Sequence, residues 1–514
     1  MRYDVVIIGA GSAGCALAAR LSEDPGRSVL ILEAGPDYPH VDQLPDDLKD
    51  GYSSELASLQ TGGHNWAFVG QPRHDRPGDM LVPRGKVMGG TSAINGQVFL
   101  RGLPEDYDSW AAQGNDEWSY VKLLPYFRKM ETDQDIHDDF HGTDGPTTVR
   151  RHKRETWEPL QTAFYEACIA AGFPADEDMN NPDSTGVGPI PMNNVDGLRI
   201  STALAYINPV RHRLNLTIRP NVLARRIIFE GKRAAGVEVE SNGERFTVEG
   251  EHIVLSSGSI ASPQLLMLSG VGPPEHLAEV GVPLVHGLPG VGQNYRDHPQ
   301  VPVRFSARDG FPMDYSAPRS QVGLRYTAPG SDLRNDMQTV ANSFSTPMGD
   351  LTYPGEDFRL SAVLELAAGS GEVKLASTDP HVQPSLVYRF LEDPADVSRM
   401  RDGVRIILDV VQQEAYRNIV KERLEPTDAD LESDDTLDAW MRNNVATSQH
   451  LSGTCKMGPA SDPIAVVDQY GRVHGLEGLR VADASIMPNV TRANTNATTI
   501  LIGERIADFI KEGR

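Results

Sequence analysis

The stretch YDVVIIGAGSAG at residues 3–14, followed by SVLILE at residues 28–33, decides how this chain begins to fold. An apolar run, a glycine-rich turn, a segment of helical spacing that ends at Leu21 and a second apolar run predict a strand, a helix and a strand. Glycines at 9, 11 and 14 match the pattern G-x-G-x-x-G, and Glu33 lies nineteen residues beyond Gly14. The sequence therefore predicts a Rossmann-like unit that binds a dinucleotide.

The chemistry of this motif restricts the ligand. The helix N-terminus offers unpaired N–H groups to a pyrophosphate, and an acidic residue at the end of the second strand accepts hydrogen bonds from ribose hydroxyls. Because the carboxylate of Glu33 would repel a 2′-phosphate, we do not expect NADP. The motif by itself leaves FAD and NAD open.

Length, charge and cysteine usage narrow the class of protein. The chain has 514 residues, enough for two domains, and its 71 acidic and 48 basic residues give a net charge of −23. That charge disfavours binding to nucleic acid or anionic lipid. Cys15, Cys168 and Cys455 are too few and too widely spaced for a disulfide framework or a zinc ribbon. We see no signal segment and no transmembrane run, so we expect a cytoplasmic protein.

Periodicity beyond the opening unit predicts further elements. The glycine-rich segment PRGKVMGGTSAING at residues 83–96 predicts an ordered loop that approaches a ligand closely. Alternating apolar residues predict a strand, a turn and a strand over 221–239 and short strands at 252–255, 360–366 and 372–375. Helical spacing predicts helices over 393–414 and 497–510.

A run rich in acidic residues and histidine, at residues 134–145, is a candidate metal site that we reject. No predicted helix or strand holds its side chains in ligand geometry, and solvated loop residues are the more common explanation. We therefore predict no metal centre from its possible ligands, which are His137, Asp138, Asp139, His141 and Asp144.

Several long motifs follow one another in a fixed order. They are the opening glycines with Glu33, the loop at 85–95, GSIASPQLLMLSGVG at 258–272, GVGQNYRDHP at 290–299, HLSGTCKMG at 450–458 and closing segments at 483–488 and 494–497. Together they resemble the glucose–methanol–choline (GMC) oxidoreductase family, and within it the compact bacterial group similar to choline dehydrogenase. The segment FHGTDGP at 140–146 matches a recurrent loop of that group, which further weakens the metal interpretation.

The resemblance implies an α/β fold with an α+β arrangement of two domains. A Rossmann-like FAD-binding domain is expected from residues 1–150, 216–302 and 446–514, the last piece carrying the catalytic histidine. An inserted sheet-and-helix substrate-binding domain is expected from residues 151–215 and 303–445. The implied cofactor is FAD.

The resemblance also assigns residues to the cofactor site. The first glycine turn and the ends of the neighbouring strands are expected to hold the ADP half, through Gly9, Gly11, Ser12, Ala13, Gly14, Glu33, Ala34 and Val222. The second glycine segment is expected on the flavin side, through Arg84, Val87, Gly89, Gly90, Ser92, Asn95, Gly96 and Val98. Trp66, an aromatic residue before that segment, is expected either to stack on the flavin or to pack in the core. The later motifs complete the site with Gly258, Asp483, Ala484, Asn494 and Thr495.

Two departures from the family pattern carry information. Some relatives attach FAD covalently through a histidine just before the asparagine of the second glycine segment, where this chain has Ile94. We therefore expect non-covalent FAD. Many relatives carry Ser-Arg-Gly in a substrate-domain strand where this chain reads Gly369-Ser370-Gly371, so that arginine is absent here.

The implied reaction is alcohol oxidation, by removal of the hydroxyl proton and hydride transfer from carbon to flavin N5. Histidine suits the proton transfer because its ordinary pKa lies near neutral pH. His450 is the expected base, and Asn496 matches the second catalytic position, where its amide would donate to the substrate oxygen. Asn496 also fits a simple helix cap at the start of the last helix. Cys455 is expected to be an inert buried residue.

The leading prediction is therefore an FAD-dependent enzyme that oxidises a CH–OH group of a primary alcohol, a polyol or a sugar or glycoside hydroxyl. Its partners would be that small molecule and O₂ or another electron acceptor. The alternative is a non-oxidative flavoenzyme of the same fold, a lyase, cyclase or decarboxylase. An NAD-dependent dehydrogenase and a non-catalytic flavin-binding protein are the remaining classes. The particular alcohol, the acceptor and the oligomeric state stay open.

Overall fold

The computed structural model describes residues 2–50, 63–76, 80–345 and 357–514. Within these ranges two large apolar cores form, each around a seven-stranded sheet. The helices described are Ser12–Leu21, Asp46–Lys49, Pro104–Ala112, Tyr120–Met130, Pro159–Ala170, Gly258–Leu268, Pro274–Glu279, Pro394–Val411, Asp434–Asn444 and Thr495–Lys511, with a π-helix at Ala203–Ile207.

The first sheet, the nucleotide sheet, is mainly parallel. Its parallel strands lie in the order Leu216–Arg219, Val29–Leu32, Arg2–Ile8, Glu244–Leu255 and Leu479–Val481. Two antiparallel strands, Arg233–Ser241 and Leu223–Glu230, extend it along the first half of the long strand. The strand at 29–32 is buried along its whole length, as expected for a parallel strand covered on both faces.

Two helices that begin beside the nucleotide sheet pack against each other. Helix Ser12–Leu21 follows the first strand, and the C-terminal helix Thr495–Lys511 lies along it. A Cβ atom on Gly503 would lie 2.4 Å from the carbonyl oxygen of Ala13, so the contact needs glycine there. This close packing brings both helix N-termini to the same side of the first core.

The second sheet, the substrate sheet, is antiparallel. Its strands lie in the order Val420–Glu425, Pro299–Ala307, Asp357–Leu364, Met337–Asn342, Val322–Tyr326 and Gly186–Pro189, and Ala446–Thr447 pairs with the start of the second of these. One face packs on helices Pro159–Ala170 and Pro394–Val411 in the second core. The opposite face carries side chains that line a large cavity between the two cores.

Five two-stranded pairs complete the described sheets. They are Val271–Gly272 with His286–Gly287, Glu372–Lys374 with Ser385–Val387, Phe68–Gly70 with Met80–Val82, Glu131–Asp133 with Thr147–Val149, and Asn194–Val195 with Leu198–Arg199.

The predicted Rossmann-like unit with an inserted sheet-and-helix domain is confirmed, with local corrections. The strand predicted at 252–255 is the end of the twelve-residue strand Glu244–Leu255. Cys455 is buried as expected and lies in a turn. Ala203–Ile207 packs in the first core, although the domain boundaries predicted at 151–215 placed it with the substrate domain. Those apolar side chains are covered by the helix Ser12–Leu21.

Candidate active site

A cavity of about 940 Å³ lies between the two cores and receives residues from both sheets. Most residues expected around the cofactor line it: Gly9, Gly11, Ser12, Ala13, Glu33, Ala34, Trp66, Arg84, Gly90, Asn95, Gly96, Val98, Val222, Gly258, Asp483, Ala484, Asn494 and Thr495. The two expected catalytic residues, His450 and Asn496, line it as well. Residues from widely separated segments of the sequence thus meet at one cavity.

Four expected cofactor residues do not line the cavity, namely Gly14, Val87, Gly89 and Ser92. These residues support the conformation of the two glycine segments without facing the cavity. A Cβ atom on Gly14 would lie 2.0 Å from the carbonyl oxygen of Gly9, so this glycine lets the helix pack against its own turn. The hydroxyl of Ser92 donates to the carbonyl of Gly89 at 2.6 Å, and Val87 is buried.

Glu33 holds the first glycine turn. Its two carboxylate oxygens accept the backbone N–H groups of Ala10 at 3.0 Å and Gly35 at 2.9 Å. Burial raises the pKa of Glu33 to about 7, and these backbone hydrogen bonds oppose the rise. The carboxyl therefore does two things: it fixes the backbone of the turn and lines the cavity where a ribose is expected.

His450 lies at the centre of the opposite end of the cavity. The amide nitrogen Nδ2 of Asn494 donates to Nε2 of His450 at 2.8 Å, so Nε2 is the unprotonated nitrogen. The proton of the neutral ring is then on Nδ1, which lies 2.9 Å from Nδ1 of His298. The chain therefore presents a proton acceptor, Nε2, on the side where Asn494 and the cavity lie.

Asn494 and Asn496, for which the sequence predicts different roles, make different contacts. Asn494, expected only to bind the cofactor, is the amide in contact with His450. Asn496, expected to act beside His450, accepts the hydroxyl proton of Ser12 at 2.7 Å through Oδ1 and so ties the C-terminal helix to the first glycine turn. Asn494 is the residue at the helix N-cap, yet its side chain caps no backbone N–H group.

Three residues that sequence reasoning did not assign hold the histidine pair. Oδ1 of Asp297 accepts the backbone N–H groups of His298 and His450, each at 2.8 Å. The hydroxyl of Thr447 donates to the other oxygen of Asp297, and Oε2 of Glu365 lies 3.3 Å from Nδ1 of His298. His298 and Asp297 are part of the quoted motif at 290–299, whose spacing gave no role to either.

Burial opposes charge on each of these side chains. It lowers the pKa of His298 to about 3 and raises that of Glu365 to about 8 and that of Asp297 to about 6. The pKa of His450 lies well below its usual range, because of burial first, then the charge that His298 carries when it is protonated, and then the positive charge of Arg84. Although His298 and Glu365 are at ion-pair distance, burial leaves both neutral at pH 7. His450 is therefore free to accept a proton.

Two further expected residues frame the cavity wall. Trp66 stacks on Phe68 with ring centroids 5.8 Å apart, and the ammonium group of Lys86 lies 4.6 Å from its ring. The guanidinium of Arg84 donates to the carbonyl of Gln449 at 2.6 Å, next to His450. Both side chains line the cavity, where Trp66 presents an aromatic ring and Arg84 presents a positive charge.

Comparison with known proteins decides the family of this chain. Models of the GMC oxidoreductase family match residues 3–300 and 367–503. The chain belongs to the GMC oxidoreductase family. An oxygen-dependent choline dehydrogenase from Klebsiella pneumoniae is 39% identical over 542 residues, covering 99% of this chain and 96% of that protein.

Solved structures agree with this assignment. A pyridoxine 4-oxidase from Mesorbium loti superposes with a TM-score of 0.92 at 28% identity, covering 99% of both chains. A formate oxidase variant from Aspergillus oryzae superposes with a TM-score of 0.90 at 25% identity, covering 100% of this chain and 98% of the other. This GMC oxidoreductase is an FAD-dependent enzyme that acts on CH–OH donors, as predicted.

The cavity of this GMC oxidoreductase fits FAD. The N-termini of helices Ser12–Leu21 and Thr495–Lys511 both reach it and present backbone N–H groups to an anion. A Cβ atom on Gly90 would lie 2.6 Å from the Cα atom of Gly11, so the two glycine segments approach each other as a long, narrow cradle requires. Oδ1 of Asn494 has no hydrogen-bond partner among the described residues, which leaves an acceptor for a ligand.

His141, from the run at 134–145, joins a buried ionic cluster, defined here as His141, Glu131, Asp133, Asp178, Arg101 and Arg151. The other possible ligands in the run, His137, Asp138, Asp139 and Asp144, are exposed. Nδ1 of His141 lies 3.1 Å from Glu131 and 3.0 Å from Asp133, and Nε2 lies 3.0 Å from Asp178. Arg101 pairs with Glu131, and Arg151 pairs with Asp133 at 2.9 Å and with Asp178 at 2.8 Å.

The ionic cluster has enough ligand atoms in reach of one another for a metal ion. The run at 134–145 itself forms no helix or strand and lies between the strands at 131–133 and 147–149, so the absence of a metal centre stays a prediction. The three carboxylates raise the pKa of His141 to about 10, against the opposing effect of burial, so with no metal bound the ring is an imidazolium that pairs with them.

Within the described ranges, no helix combines the length and the apolar composition needed to cross a membrane.

Proposed function

We propose that this GMC oxidoreductase oxidises an alcohol with His450 as the proton acceptor and Asn494 as the group that orients the substrate oxygen. The observation that carries the proposal is the contact between Nδ2 of Asn494 and Nε2 of His450 at 2.8 Å, on the wall of the cavity. This contact places a neutral base and an amide donor side by side on the cavity wall. An alcohol oxygen that entered between them would give its proton to one and accept from the other.

The surroundings of His450 prepare it for this step. The carboxyl of Asp297 fixes its backbone, and His298 accepts from Nδ1, which holds the ring in the tautomer with Nε2 free. Because the pKa of His450 is lowered, the ring is unprotonated at neutral pH before substrate binds. FAD, when bound, supplies the acceptor for the hydride that leaves the alcohol carbon.

The C-terminal helix contributes a fixed electrostatic field. Its N-terminus opens onto the cavity at Asn494 and Thr495, and its first turn carries no acidic side chain. The partial positive charge of a helix N-terminus stabilises negative charge placed there. The residues at this end therefore favour the alkoxide character that develops as His450 takes the proton.

The remaining features of the proposal concern the cofactor linkage, the partners and the compartment. FAD is held without a covalent bond, because Ile94 lines the cavity where a histidine would be the nucleophile. The partners are a small-molecule alcohol and either O₂ or another electron acceptor. We place the protein in the cytoplasm, in keeping with three buried, unpaired cysteines.

An anaerobic visible spectrum of the purified holoenzyme, titrated with alcohols, polyols and glycosides, tests the proposal. Loss of the oxidised flavin absorbance with one class of alcohol is the expected result. Rapid return of the absorbance in air would identify an oxidase, and slow return a dehydrogenase that uses another acceptor. A flavin that no alcohol reduces would overturn the proposal and favour the non-oxidative alternative.

A further inference from the structure

One face of the substrate sheet forms a wall of the cavity. Successive side chains of a strand point to opposite faces of a sheet, and two central strands, Asp357–Leu364 and Met337–Asn342, follow this rule. The apolar residues of one face pack in the second core. The residues of the other face line the cavity, namely Gln338, Val340, Asn342, Arg359, Ser361 and Val363. These two strands therefore decide which groups a molecule in the cavity meets on this side.

Two polar side chains on this wall, Gln338 and Ser361, have no hydrogen-bond partner among the described residues. The exposed fraction is 5% for Gln338 and 2% for Ser361, so bulk water scarcely reaches either. Asn342, on the same face, is instead engaged, since it donates to Ser320 at 3.0 Å and accepts from Arg359 at 3.3 Å. Because buried polar groups in folded proteins are normally hydrogen-bonded, Gln338 and Ser361 are available to a molecule in the cavity.

The register of the sheet brings these two side chains together. Ser361 pairs with Val340, and Val363 pairs with Gln338. Gln338 and Ser361 are therefore diagonal neighbours on one face, and such residues lie about 7–8 Å apart, within reach of a long side chain. A single small group of a ligand can contact both.

The same register fixes the position of the pair relative to the base. On its other side Val363 pairs with Gln300, whose Nε2 donates to the carbonyl of Thr447 at 2.7 Å. Thr447 comes shortly before His450 in the chain and, like it, lines the cavity. Neighbouring strands lie about 4.7–4.9 Å apart, so Gln338 is about 10 Å across the sheet from Gln300. Val363 presents an apolar surface between the polar pair and the end of the wall that adjoins the base.

The chemistry of the pair favours a neutral hydroxyl. The amide of Gln338 offers two N–H donors and an acceptor oxygen, and the hydroxyl of Ser361 both donates and accepts. A ligand hydroxyl can accept from one of these side chains and donate to the other. An ether oxygen can only accept, and a quaternary ammonium group can do neither.

We propose that the substrate of this enzyme is a polyhydroxy alcohol, of which one hydroxyl is oxidised at His450 and a second is held by Gln338 and Ser361. The carbon chain between the two hydroxyls lies against Val363. This inference rests on the proposed function and specifies its substrate class. A site built to hydrogen-bond a hydroxyl selects against an analogue that lacks it, because the buried polar groups of the site are then left unpaired. Gln338 and Ser361 are specificity residues and take no part in the proton transfer.

The first experiment uses the unmodified holoenzyme and alcohols matched in carbon number. Primary mono-alcohols are compared with diols and linear polyols, with diol monomethyl ethers and with trimethylammonium alcohols, by anaerobic flavin reduction in a stopped-flow spectrometer. After allowance for equivalent ends, we expect the ratio of reduction rate to dissociation constant to be roughly 10- to 100-fold higher for the best diol or polyol than for the mono-alcohol. The monomethyl ethers should fall between the two, because the ether oxygen accepts but does not donate.

The same traces separate binding from chemistry. The second hydroxyl should act mainly on the dissociation constant and little on the limiting rate of flavin reduction, because it is held away from the reacting carbon. The preference should not weaken at high salt, since both residues of the pair are neutral. Matched alcohols that end in a carboxamide probe a carbonyl in place of the second hydroxyl, and a preference for them would overturn the assignment of a hydroxyl.

Variants test the two residues. Gln338→Leu and Ser361→Ala should each lose most of the preference for the diol over the mono-alcohol, while the mono-alcohol still reduces the flavin. Val340→Ala, on the same face, removes no polar group, so it should change the two alcohols alike and keep the preference. If folded Gln338→Leu and Ser361→Ala enzymes keep it too, the assignment of the pair is wrong. FAD content, read from the visible spectrum, reports whether each variant folds.

The outcomes separate the two proposals. If no alcohol of any kind reduces the flavin, the proposed function itself fails. If mono-alcohols or trimethylammonium alcohols reduce it as well as the best diol or polyol, the function stands and the polyhydroxy substrate class is overturned. The wild-type comparison decides this even if every variant is unstable.

Discussion

Two regions of this GMC oxidoreductase bury histidine among carboxyl groups, and they do so with opposite results. At the active site His298 and His450 are neutral beside Glu365 and Asp297. In the ionic cluster His141 is charged beside Glu131, Asp133 and Asp178. The pKa is about 3 for His298 and about 10 for His141.

The number of compensating charges explains the difference. The ionic cluster pairs three carboxylates with three cations, so each charge has a partner of opposite sign at hydrogen-bond distance. At the active site Arg84 and the neighbouring ring only oppose a proton on His450, and burial leaves Glu365 protonated. Where a buried charge has no partner, desolvation controls the pKa. Where opposite charges are matched, the ion pair controls it. The first arrangement gives a base and the second a structural cation.

The largest expected effect concerns His450, the neutral histidine at the active site. His450→Gln removes the proton acceptor, so the rate of anaerobic flavin reduction by substrate should fall roughly 10²- to 10⁴-fold. The thermal midpoint and the FAD content should stay near those of the wild type, because glutamine still fills the site. His212→Gln, at an exposed position, is the matched control and should change neither. A His450→Gln enzyme that is reduced at the wild-type rate would remove His450 from the mechanism.

The second prediction concerns His141, the charged histidine of the ionic cluster. His141→Gln leaves three buried carboxylates with only two arginines, and losing one partner of a buried ion pair costs about 3–5 kcal/mol of unfolding free energy. Urea or thermal unfolding measures the loss. His137→Gln, exposed in the same loop, should be neutral. Because the cluster lies outside the cavity, the folded fraction of His141→Gln should reduce its flavin at the normal rate, and a slow rate in fully folded enzyme would contradict this account.

The two regions should also respond to pH on opposite sides. His141 has a pKa raised from 6.5 to about 10, so its stabilisation is fully present below pH 6.5 and is lost as the pH rises through 10. His298 has a pKa lowered from 6.5 to about 3, so the fold loses stability as the pH falls from 6.5 toward 3 and the unfolded chain takes up the proton.

Unfolding curves of wild type and His141→Gln at several pH values test this. The gap in unfolding free energy between the two proteins should be widest near pH 6 and should close toward pH 10. A gap that is constant across this range would show that His141 acts by packing rather than by charge.

A smaller effect distinguishes the two asparagines at the helix N-terminus. Asn494→Ala removes a donor beside His450 and should slow flavin reduction about 10- to 100-fold with little loss of FAD. Asn496→Ala removes the acceptor of the Ser12 hydroxyl and should weaken FAD retention more than it slows reduction. Reduction rates and FAD dissociation by ultrafiltration are compared in the two variants. The reverse order of effects would restore the role predicted for Asn496 from sequence.

The asparagines show where the sequence stops being informative. The glycine motif, the period-two strands and the final helix follow from local spacing, and the structure confirms them. Which asparagine faces His450 depends on the backbone where the last helix begins. Asn494 is the N-cap with a non-helical ψ of 131°, whereas Asn496 lies in the first turn, and their side chains take different partners. The spacing of the motif does not show where the helix begins.

The ionic cluster shows a second limit. Its members come from residues 101, 131–133, 141, 151 and 178, and the bonds between them exist only after the chain folds. Local sequence around His141 gives only a polar, loop-like run.

The smallest expected effect concerns His298, the residue that positions the base at the active site. His298 accepts from Nδ1 of His450 and, by its own charge when protonated, helps to lower the pKa of that ring. His298→Ala should slow flavin reduction by roughly tenfold or less, since the base remains but its tautomer is no longer held. The acidic limb of the reduction rate should move to higher pH, because one influence that lowers the pKa of His450 is gone.

His298→Gln provides the control, because its amide oxygen restores an acceptor without a titratable group. It should recover most of the rate lost in His298→Ala while the acidic limb stays displaced, as only the acceptor is restored and not the positive charge. A variant that merely loosened the fold would lower the rate at every pH and leave the limb in place. The shift of the limb is therefore the result that separates positioning of the base from packing.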